Sequence, residues 1–318
     1  MEVAKFLSPN RTNMRVSVVI PTKNRVKDLK ECIKSLANQT YPQIEIIIVD
    51  GSEGDETKEY IKNLKLKFKC IYIKQHKGGT ANARNLGIKR ATGDIIVFMD
   101  DDVILDRDAI KEVVNVFAEN EEVAGASGII IEPLTKKNSL ASILEYIFAI
   151  IFLRDSLRKG SVTASGHHAR LPKKPSYVEW LGTSFAAYRG DVLKEFNFDE
   201  NLERLSNYAY YEDFDISYRI SRKYKLFINP RAKAIHRHSP SSRSDFFKVN
   251  SVKIQNHYYL VKKHGFSKVA FWWSTFGLLL AHVILLLLKP SKKNLLSLAG
   301  LIEGIKKISK GEMLKGQS

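Results

Sequence analysis

Short apolar runs alternate with stretches of helical periodicity through the N-terminal part of this chain. The runs "VSVVIPTKN", "IEIIIVDGS", "CIYIK" and "DIIVFM" are rich in β-branched residues and too short for typical helices. Between the first two, apolar residues recur at helical spacing over residues 25–38. Strands that alternate with helices form parallel sheets covered by helices. The pattern therefore predicts an α/β fold with a mostly parallel, doubly wound sheet.

Two of the predicted strands end in carboxylates. Asp50 closes one run, and Asp100, Asp101 and Asp102 follow the run "DIIVFM" directly. Ligands of such sheets bind at the carboxyl ends of the strands, so both acidic loops are expected to border one crevice. After the second loop, Asp106 is predicted to cap the next helix.

Three adjacent carboxylates repel one another, and their burial is costly unless a cation neutralises them. Mg²⁺ and Mn²⁺ take carboxylate oxygens and keep coordination positions for phosphate oxygens, which suits a nucleotide diphosphate. The alternative is a solvated turn or a helix cap without a metal ion.

A second acidic group lies in "YYEDFDISYRI", where Glu212, Asp213 and Asp215 precede or open a predicted helix. Carboxylates in a first helical turn can simply complement the helix dipole. A general base is the functional alternative. Further on, "AKAIHRHSPSS" places His236 and His238 after another strand-like run.

The ordered set "VSVVIPTKN", "IIIVDGS", "GGTANARNLGIKRATGDIIVFMDDDV" and "YYEDFDISYRI" resembles the family 2 glycosyltransferases. The resemblance runs from about Val16 to about Ser242. Members of this family have the GT-A fold and transfer a sugar, with inversion, from a nucleotide-diphosphate sugar to an acceptor hydroxyl. The resemblance therefore implies a metal-assisted glycosyltransferase that uses Mn²⁺ or Mg²⁺.

The resemblance also implies a role for each matching residue. Asp213 is expected to be the catalytic base, and Asp102 and His236 are expected to hold the metal ion, with His238 as a substitute. The residues expected to bind the nucleotide sugar are Pro21, Thr22, Asp50, Arg84, Asp100 and Asp101.

Composition adds limits on partners and compartment. Lys and Arg total 51 against 34 for Asp and Glu, a formal net charge of +17 that implies an anionic partner. The two cysteines, Cys32 and Cys70, form no disulfide framework or zinc motif. Residues 1–15 lack a continuous apolar stretch, so no cleavable signal peptide is expected and the catalytic part is predicted to be cytoplasmic.

The segment "VAFWWSTFGLLLAHVILLLL", residues 269–288, contains no Lys, Arg, Asp or Glu and has about the length that spans a bilayer core. Trp272 and Trp273 near one end and lysines after the other are typical interfacial anchors. Insertion into the cell membrane is predicted, and a buried core helix is the alternative. Lysines flank both ends, so a single crossing and an in-plane or hairpin arrangement both remain open.

The sequence is accordingly divided into four parts. These are an N-terminal extension (1–15), a nucleotide-sugar-binding half (16–132), an acceptor-binding and catalytic half (133–264) and a membrane-associated region (265–318). The expected partners are a nucleotide-sugar donor, a glycan or lipid-linked acceptor and the membrane. A nucleotidyltransferase and a non-catalytic basic module that binds membrane or nucleic acid are alternatives. Nucleic acid is not expected, because no known nucleic-acid-binding motif is present.

Overall fold

The computed structural model describes residues 13–131, 139–205, 210–237 and 245–312. The strands are β1 (Val16–Thr22), β2 (Ile44–Asp50), β3 (Lys69–Lys74), β4 (Ile95–Met99), β5 (Val103–Leu105), β6 (Val123–Ile131), β7 (Ser176–Val178), β8 (Phe185–Arg189) and β9 (Lys225–His236). The helices are α1 (Val26–Ala37), α2 (Glu56–Lys62), α3 (Thr80–Arg90), α4 (Ala109–Glu119), α5 (Ser139–Ile151), α6 (Val192–Glu195), α7 (Glu212–Ser221), α8 (Phe246–His264), α9 (Lys268–Leu288) and α10 (Lys292–Ser309).

All of the strands belong to one sheet with the order β3-β2-β1-β4-β8-β6-β9-β5, and β7 pairs with β9. The first four strands in this order are parallel, and the alternation of strands and helices predicted this arrangement. Their side chains are apolar on both faces: Val18 and Val97 face one core layer, whereas Val19 and Phe98 face the other. Burial on both faces explains the continuous apolar runs in the sequence.

Beyond β4 the sheet is mixed. Strand β8 is antiparallel to both β4 and β6, and β5 is antiparallel to β9. In the β5–β9 pair, Val103 lies opposite His236. This register brings His236 next to the acidic loop that precedes β5.

The predicted helix cap at Asp106 is wrong. Helix α4 begins at Ala109, and Asp108 occupies the N-cap position without a side-chain capping bond. Asp106 stays in the turn after β5, where its carboxylate accepts the N–H of Arg107 and its carbonyl accepts the N–H of Ala109. The short strand β5 therefore delays the start of the helix.

The C-terminal helices form a separate apolar cluster. Helix α10 packs closely on α8: a Cβ at Gly300 would lie 2.1 Å from the carbonyl oxygen of Phe247. Among the described helices, α9 alone has the length and apolar composition needed to cross a membrane. Many of its large apolar side chains are exposed, such as Val269 (81%) and Leu287 (77%). The four-part division of the chain stays a prediction, and most of the N-terminal extension lies outside the described residues.

Candidate active site

A cavity of about 450 Å³ opens where β1, β4 and β9 end and α7 begins. Strand ends of this kind are the usual ligand sites of open α/β sheets. The predicted site residues that line this cavity are Pro21, Thr22, Arg84, Asp100, Asp101, Asp102, Asp213 and His236.

Three of these residues can hold a metal ion together. One ligand atom each from Asp100, Asp102 and His236 lies within 4.8 Å of the other two. His236 Nε2 is 2.9 Å from Asp102 Oδ1, a contact that follows from the β5–β9 register. Two carboxylates and an imidazole suit a hard or borderline divalent cation such as Mg²⁺ or Mn²⁺. The donor set thus fits the predicted cofactor.

Asp101 is not part of this group of possible metal ligands. Its carboxylate accepts hydrogen bonds from Thr22 Oγ1 at 2.8 Å and from Arg25 Nη1 at 2.7 Å. Burial raises the pKa of Asp101 to about 7, although Arg25 acts to lower it. Thr22 and Asp101, both predicted to bind the donor, therefore bond to each other.

The sequence reasoning missed Arg25 and Ser184. The guanidinium of Arg25 also reaches Asp102 at 3.2 Å, and Ser184 Oγ donates to Asp100 Oδ2 at 2.7 Å. A cation directly after the first strand, facing an acidic run at a neighbouring strand end, was the available signal for Arg25. No local pattern marks Ser184, because β8 is brought beside β4 only by the tertiary fold.

Arg84 connects the two acidic groups of the sequence. It is 3% exposed, and its two terminal nitrogens lie 3.0 Å from Asp100 Oδ1 and 2.6 Å from Glu212 Oε1. The planar guanidinium can pair with two carboxylates at once. Arg84 therefore joins α3, the end of β4 and the start of α7.

Asp213 lines the cavity in the first turn of α7. Its Oδ1 accepts the N–H of Phe214 at 2.7 Å, and no ion pair to it occurs within the described ranges. Burial raises its pKa, and Arg84 opposes the shift. Tyr211, the residue directly before α7, has a left-handed φ of 71°, a strained conformation for a residue with a side chain. This turn starts the helix that carries both Glu212 and Asp213.

Asp50 does not line the cavity. It is fully buried, where its carboxylate accepts hydrogen bonds from the N–H of Ser52 at 2.9 Å and from the hydroxyl of Tyr72 at 2.8 Å. Its role in donor binding stays a prediction. His238, the predicted substitute for His236, lies outside the described residues.

Comparison with known proteins shows the family to which this chain belongs. The model of glycosyl transferase family 2 matches residues 17–177, just over half of the chain. The chain therefore belongs to this family of glycosyltransferases, as the sequence motifs predicted. Its mixed α/β sheet is the GT-A fold.

The relatives match over limited stretches. The Staphylococcus aureus poly(ribitol-phosphate) β-N-acetylglucosaminyltransferase TarS is 31% identical over 103 residues, which are 31% of this chain and 18% of TarS. The Campylobacter jejuni GalNAc(5)-diNAcBac-PP-undecaprenol β-1,3-glucosyltransferase is 35% identical over 91 residues, 28% of this chain and 29% of that enzyme. The chain thus matches less than a third of the length of either relative.

A structural likeness covers much more of the chain. The mannosyltransferase PcManGT from Pyrobaculum calidifontis, solved in complex with GDP-Man and Mn²⁺, superposes with a TM-score of 0.59 at 17% identity. The superposition covers 94% of this chain and 88% of PcManGT. At this identity the likeness shows the fold.

Proposed function

We propose that the protein transfers a sugar, with inversion, from a nucleotide-diphosphate sugar to an acceptor hydroxyl. The observation that carries this proposal is that Asp213 lacks a basic partner among the described residues. Each of the other acidic residues that line the cavity has a basic partner, whereas Asp213 has none within the described ranges. A carboxylate without a cation partner beside a candidate metal site is suited to accept a proton from the acceptor hydroxyl.

The position of Asp213 supports its role as general base. Burial raises its pKa, which makes the carboxylate a stronger base than a solvated aspartate. Attack by the deprotonated hydroxyl on the face of the sugar opposite the leaving diphosphate gives inversion. Asp213 holds the proton, and no covalent glycosyl-enzyme intermediate is needed.

Asp100, Asp102 and His236 would hold the divalent ion, and a bound ion would supply charge neutralisation at the diphosphate leaving group. The presence of GDP-Man and Mn²⁺ in the PcManGT structure supports this assignment. Pro21, Thr22, Asp50, Arg84 and Asp101 are proposed to bind or support the donor. Family membership and the unpaired Asp213 favour glycosyl transfer over the nucleotidyltransferase alternative and over a non-catalytic basic module.

We also propose a lipid-linked acceptor and a location at the cytoplasmic face of the cell membrane. The exposed apolar side chains of α9 and the lysines at both of its ends support membrane association. The name of the Campylobacter relative, which includes PP-undecaprenol, supports an acceptor of this kind.

The donor is tested by thermal unfolding of the full-length protein with a panel of nucleotide sugars, with and without Mn²⁺. A donor that binds only the folded state raises the melting temperature. We expect one donor to protect only when Mn²⁺ is present. If every nucleotide sugar fails to protect at millimolar concentration, the donor proposal is wrong.

The location is tested by flotation of the full-length protein with phosphatidylcholine–phosphatidylglycerol vesicles. We expect the protein to float with the vesicles and to need detergent for extraction. If the protein stays in the soluble fraction without detergent, α9 is a core helix and the proposed membrane location is wrong.

A further inference from the structure

Helices α5 and α9 meet at one end, and both expose apolar side chains. Trp273 Nε1 donates to the carbonyl of Ile151 at 2.8 Å, and the Trp273 and Phe152 rings lie 5.0 Å apart. Gly277 of α9 permits this contact, because a Cβ there would lie 2.2 Å from Phe152. The exposed apolar residues of α5 are Leu140, Ile143, Leu144, Ile147 and Ile151. If α9 lies in or on a bilayer, as proposed, the end of α5 lies at the same membrane surface.

The chain leaves α5 through a strained turn. Leu153 has a left-handed φ of 54°, and its carbonyl accepts hydrogen bonds from Thr163 Oγ1 at 2.9 Å and Ser165 Oγ at 2.6 Å. The next residue, Arg154, donates its N–H to the carbonyl of Ala149 at 2.7 Å. Strain of this kind costs roughly 1–3 kcal/mol and persists only where surrounding contacts hold it. The position of Arg154 is therefore set by several bonds.

The guanidinium of Arg154 has no hydrogen bond or ion pair with any described residue, and its Nε is buried. The neighbouring carboxylate, Asp155, is held by Arg170, whose Nε lies 2.8 Å from it. Burial lowers the pKa of Arg154, and the interactions with Tyr211 and with Glu145 on α5 only partly oppose this. Arg84, by contrast, is more deeply buried but contacts two carboxylates. A partly buried cation without an anion is costly, so an anion from a ligand would relieve the cost.

A chain of contacts connects the turn at Leu153 and Arg154 to the cavity. Ser165, whose hydroxyl donates to the carbonyl of Leu153, has its own carbonyl 2.9 Å from His257 Nε2, and the His257 ring lies 5.8 Å from the ring of Tyr211. The charge of Arg154 acts on the ionisation of Tyr211, His167 and His257, lowering the pKa of each, although burial raises that of Tyr211 overall. Tyr211 lines the cavity and directly precedes Glu212 and Asp213. Arg154 is therefore linked both to the apolar end of α5 and to the turn that precedes the proposed catalytic base.

We propose that Arg154 binds a phosphate group of a lipid-borne acceptor. The lipid chain would lie along the exposed apolar residues of α5 and α9, and the phosphate would pair with the guanidinium through charge-assisted hydrogen bonds. The acceptor hydroxyl beyond the phosphate would then point toward Asp213. This inference names the residue that binds the phosphate of the proposed lipid-linked acceptor, and its catalytic meaning rests on the proposed transfer.

The test measures binding of the full-length protein to phosphatidylcholine vesicles that contain farnesyl phosphate, with EDTA present. EDTA removes divalent ions, so the probe cannot bind through a metal ion at Asp100, Asp102 and His236. We expect Arg154→Gln to weaken the gain in affinity due to farnesyl phosphate by about tenfold or more, the loss typical of a charged hydrogen bond. Arg154→Lys should keep part of the gain.

Arg158→Gln is the matched control. Arg158 lies on the same loop, is well exposed and pairs with Glu179, so its loss removes the same charge without touching the proposed site. It should bind farnesyl phosphate as the wild type does. Vesicles with phosphatidylglycerol in place of farnesyl phosphate separate the acceptor phosphate from an ordinary headgroup.

Two results would overturn the proposal. One is unchanged farnesyl phosphate binding by Arg154→Gln, and the other is an equal loss on phosphatidylglycerol vesicles, which would make Arg154 a general bilayer contact. Thermal unfolding checks that Arg154→Gln is folded. If it is not folded, the partial loss of the gain expected for Arg154→Lys is the result that tests the proposal. Donor protection by Mn²⁺ and a nucleotide sugar should be unchanged in all three variants, so failure of the donor proposal and failure of this one are distinguishable.

Discussion

Two groups of carboxylates lie at or directly beside the same cavity, and they differ in how they are paired with basic residues. In the loop after β4, each of Asp100, Asp101 and Asp102 contacts arginine or histidine. In the first turn of α7, paired and unpaired carboxylates alternate. Glu212 pairs with Arg84, and Asp213 pairs with no described cation. Asp215 contacts Arg219, Lys263 and His264. Paired carboxylates are suited to structure or metal binding, and the unpaired one is suited to proton transfer.

Asp213 and Asp215 show the difference within a single helical turn. Asp215 is fully buried, which alone would raise its pKa, but the hydrogen bond from His264 and the charges of Arg219 and Lys263 lower it to about 2. The pKa of Asp213 is raised, since its burial is not balanced in this way. Neighbouring carboxylates whose pKa values are driven apart commonly have different tasks.

The largest effect is expected for Asp102→Ala in the metal-binding group. Loss of a metal ligand should reduce transfer by about three orders of magnitude or more, because metal stabilisation of the leaving group is worth several kcal/mol. Mn²⁺-dependent donor protection in thermal unfolding should be lost as well. Activity near that of the wild type at saturating donor and limiting Mn²⁺ would show that Asp102 is not a metal ligand.

Asp213→Asn should separate chemistry from binding. We expect transfer to fall by about two to four orders of magnitude, the contribution of a general base, with donor affinity nearly unchanged. Single-turnover rates and donor titrations measure the two effects independently. A parallel loss of donor affinity and rate would place Asp213 with the donor-binding group, and the two groups of carboxylates would then not differ in role.

Arg84→Gln tests the link between the two groups. The substitution leaves Asp100 and Glu212 without their shared cation, which should destabilise the fold by about 3–5 kcal/mol. Because Arg84 lowers the pKa of Asp213, its removal should also move the acidic limb of the kcat/KM profile to higher pH. Arg84→Lys, which keeps one charge, should recover part of the stability. An unshifted pH profile in a folded variant would show that Arg84 does not influence the base.

The smallest effect is expected for Asp215→Asn. The pKa of Asp215 is depressed on folding, so its contribution to stability is present above its unfolded pKa near 4 and is lost as the pH falls toward 2. At neutral pH the variant should lose about 2 kcal/mol, and the difference from the wild type should narrow below pH 4. Denaturant unfolding at several pH values measures this. Asp55→Asn, on the exposed start of α2, is the control and should change little. A loss in Asp215→Asn that does not vary with pH would point to packing instead of charge.

Much of the parallel half of the fold could be predicted, because each strand and helix there has its own local pattern. Residues 95–99 are apolar on both faces and end in three carboxylates, and this pattern alone predicted a strand end with a ligand site. The antiparallel strands were harder, because β5 has only three residues and β8 acquires its place from its neighbours. Local periodicity carries no information on such pairings.

The sequence by itself determined the parallel half of the sheet, the acidic strand end, the acidic first turn of α7 and the apolar character of α9. These features depend on side chains close together in the chain. Only the tertiary structure decided that His236 meets Asp102, that Arg25 and Arg84 neutralise particular carboxylates, and that Asp213 and Arg154 keep no described partner of opposite charge. The physical reason is that pairing of charges depends on strand register and helix packing between distant segments. A shift of the β5–β9 register by one residue would turn His236 to the other face of the sheet, while the sequence patterns would remain the same.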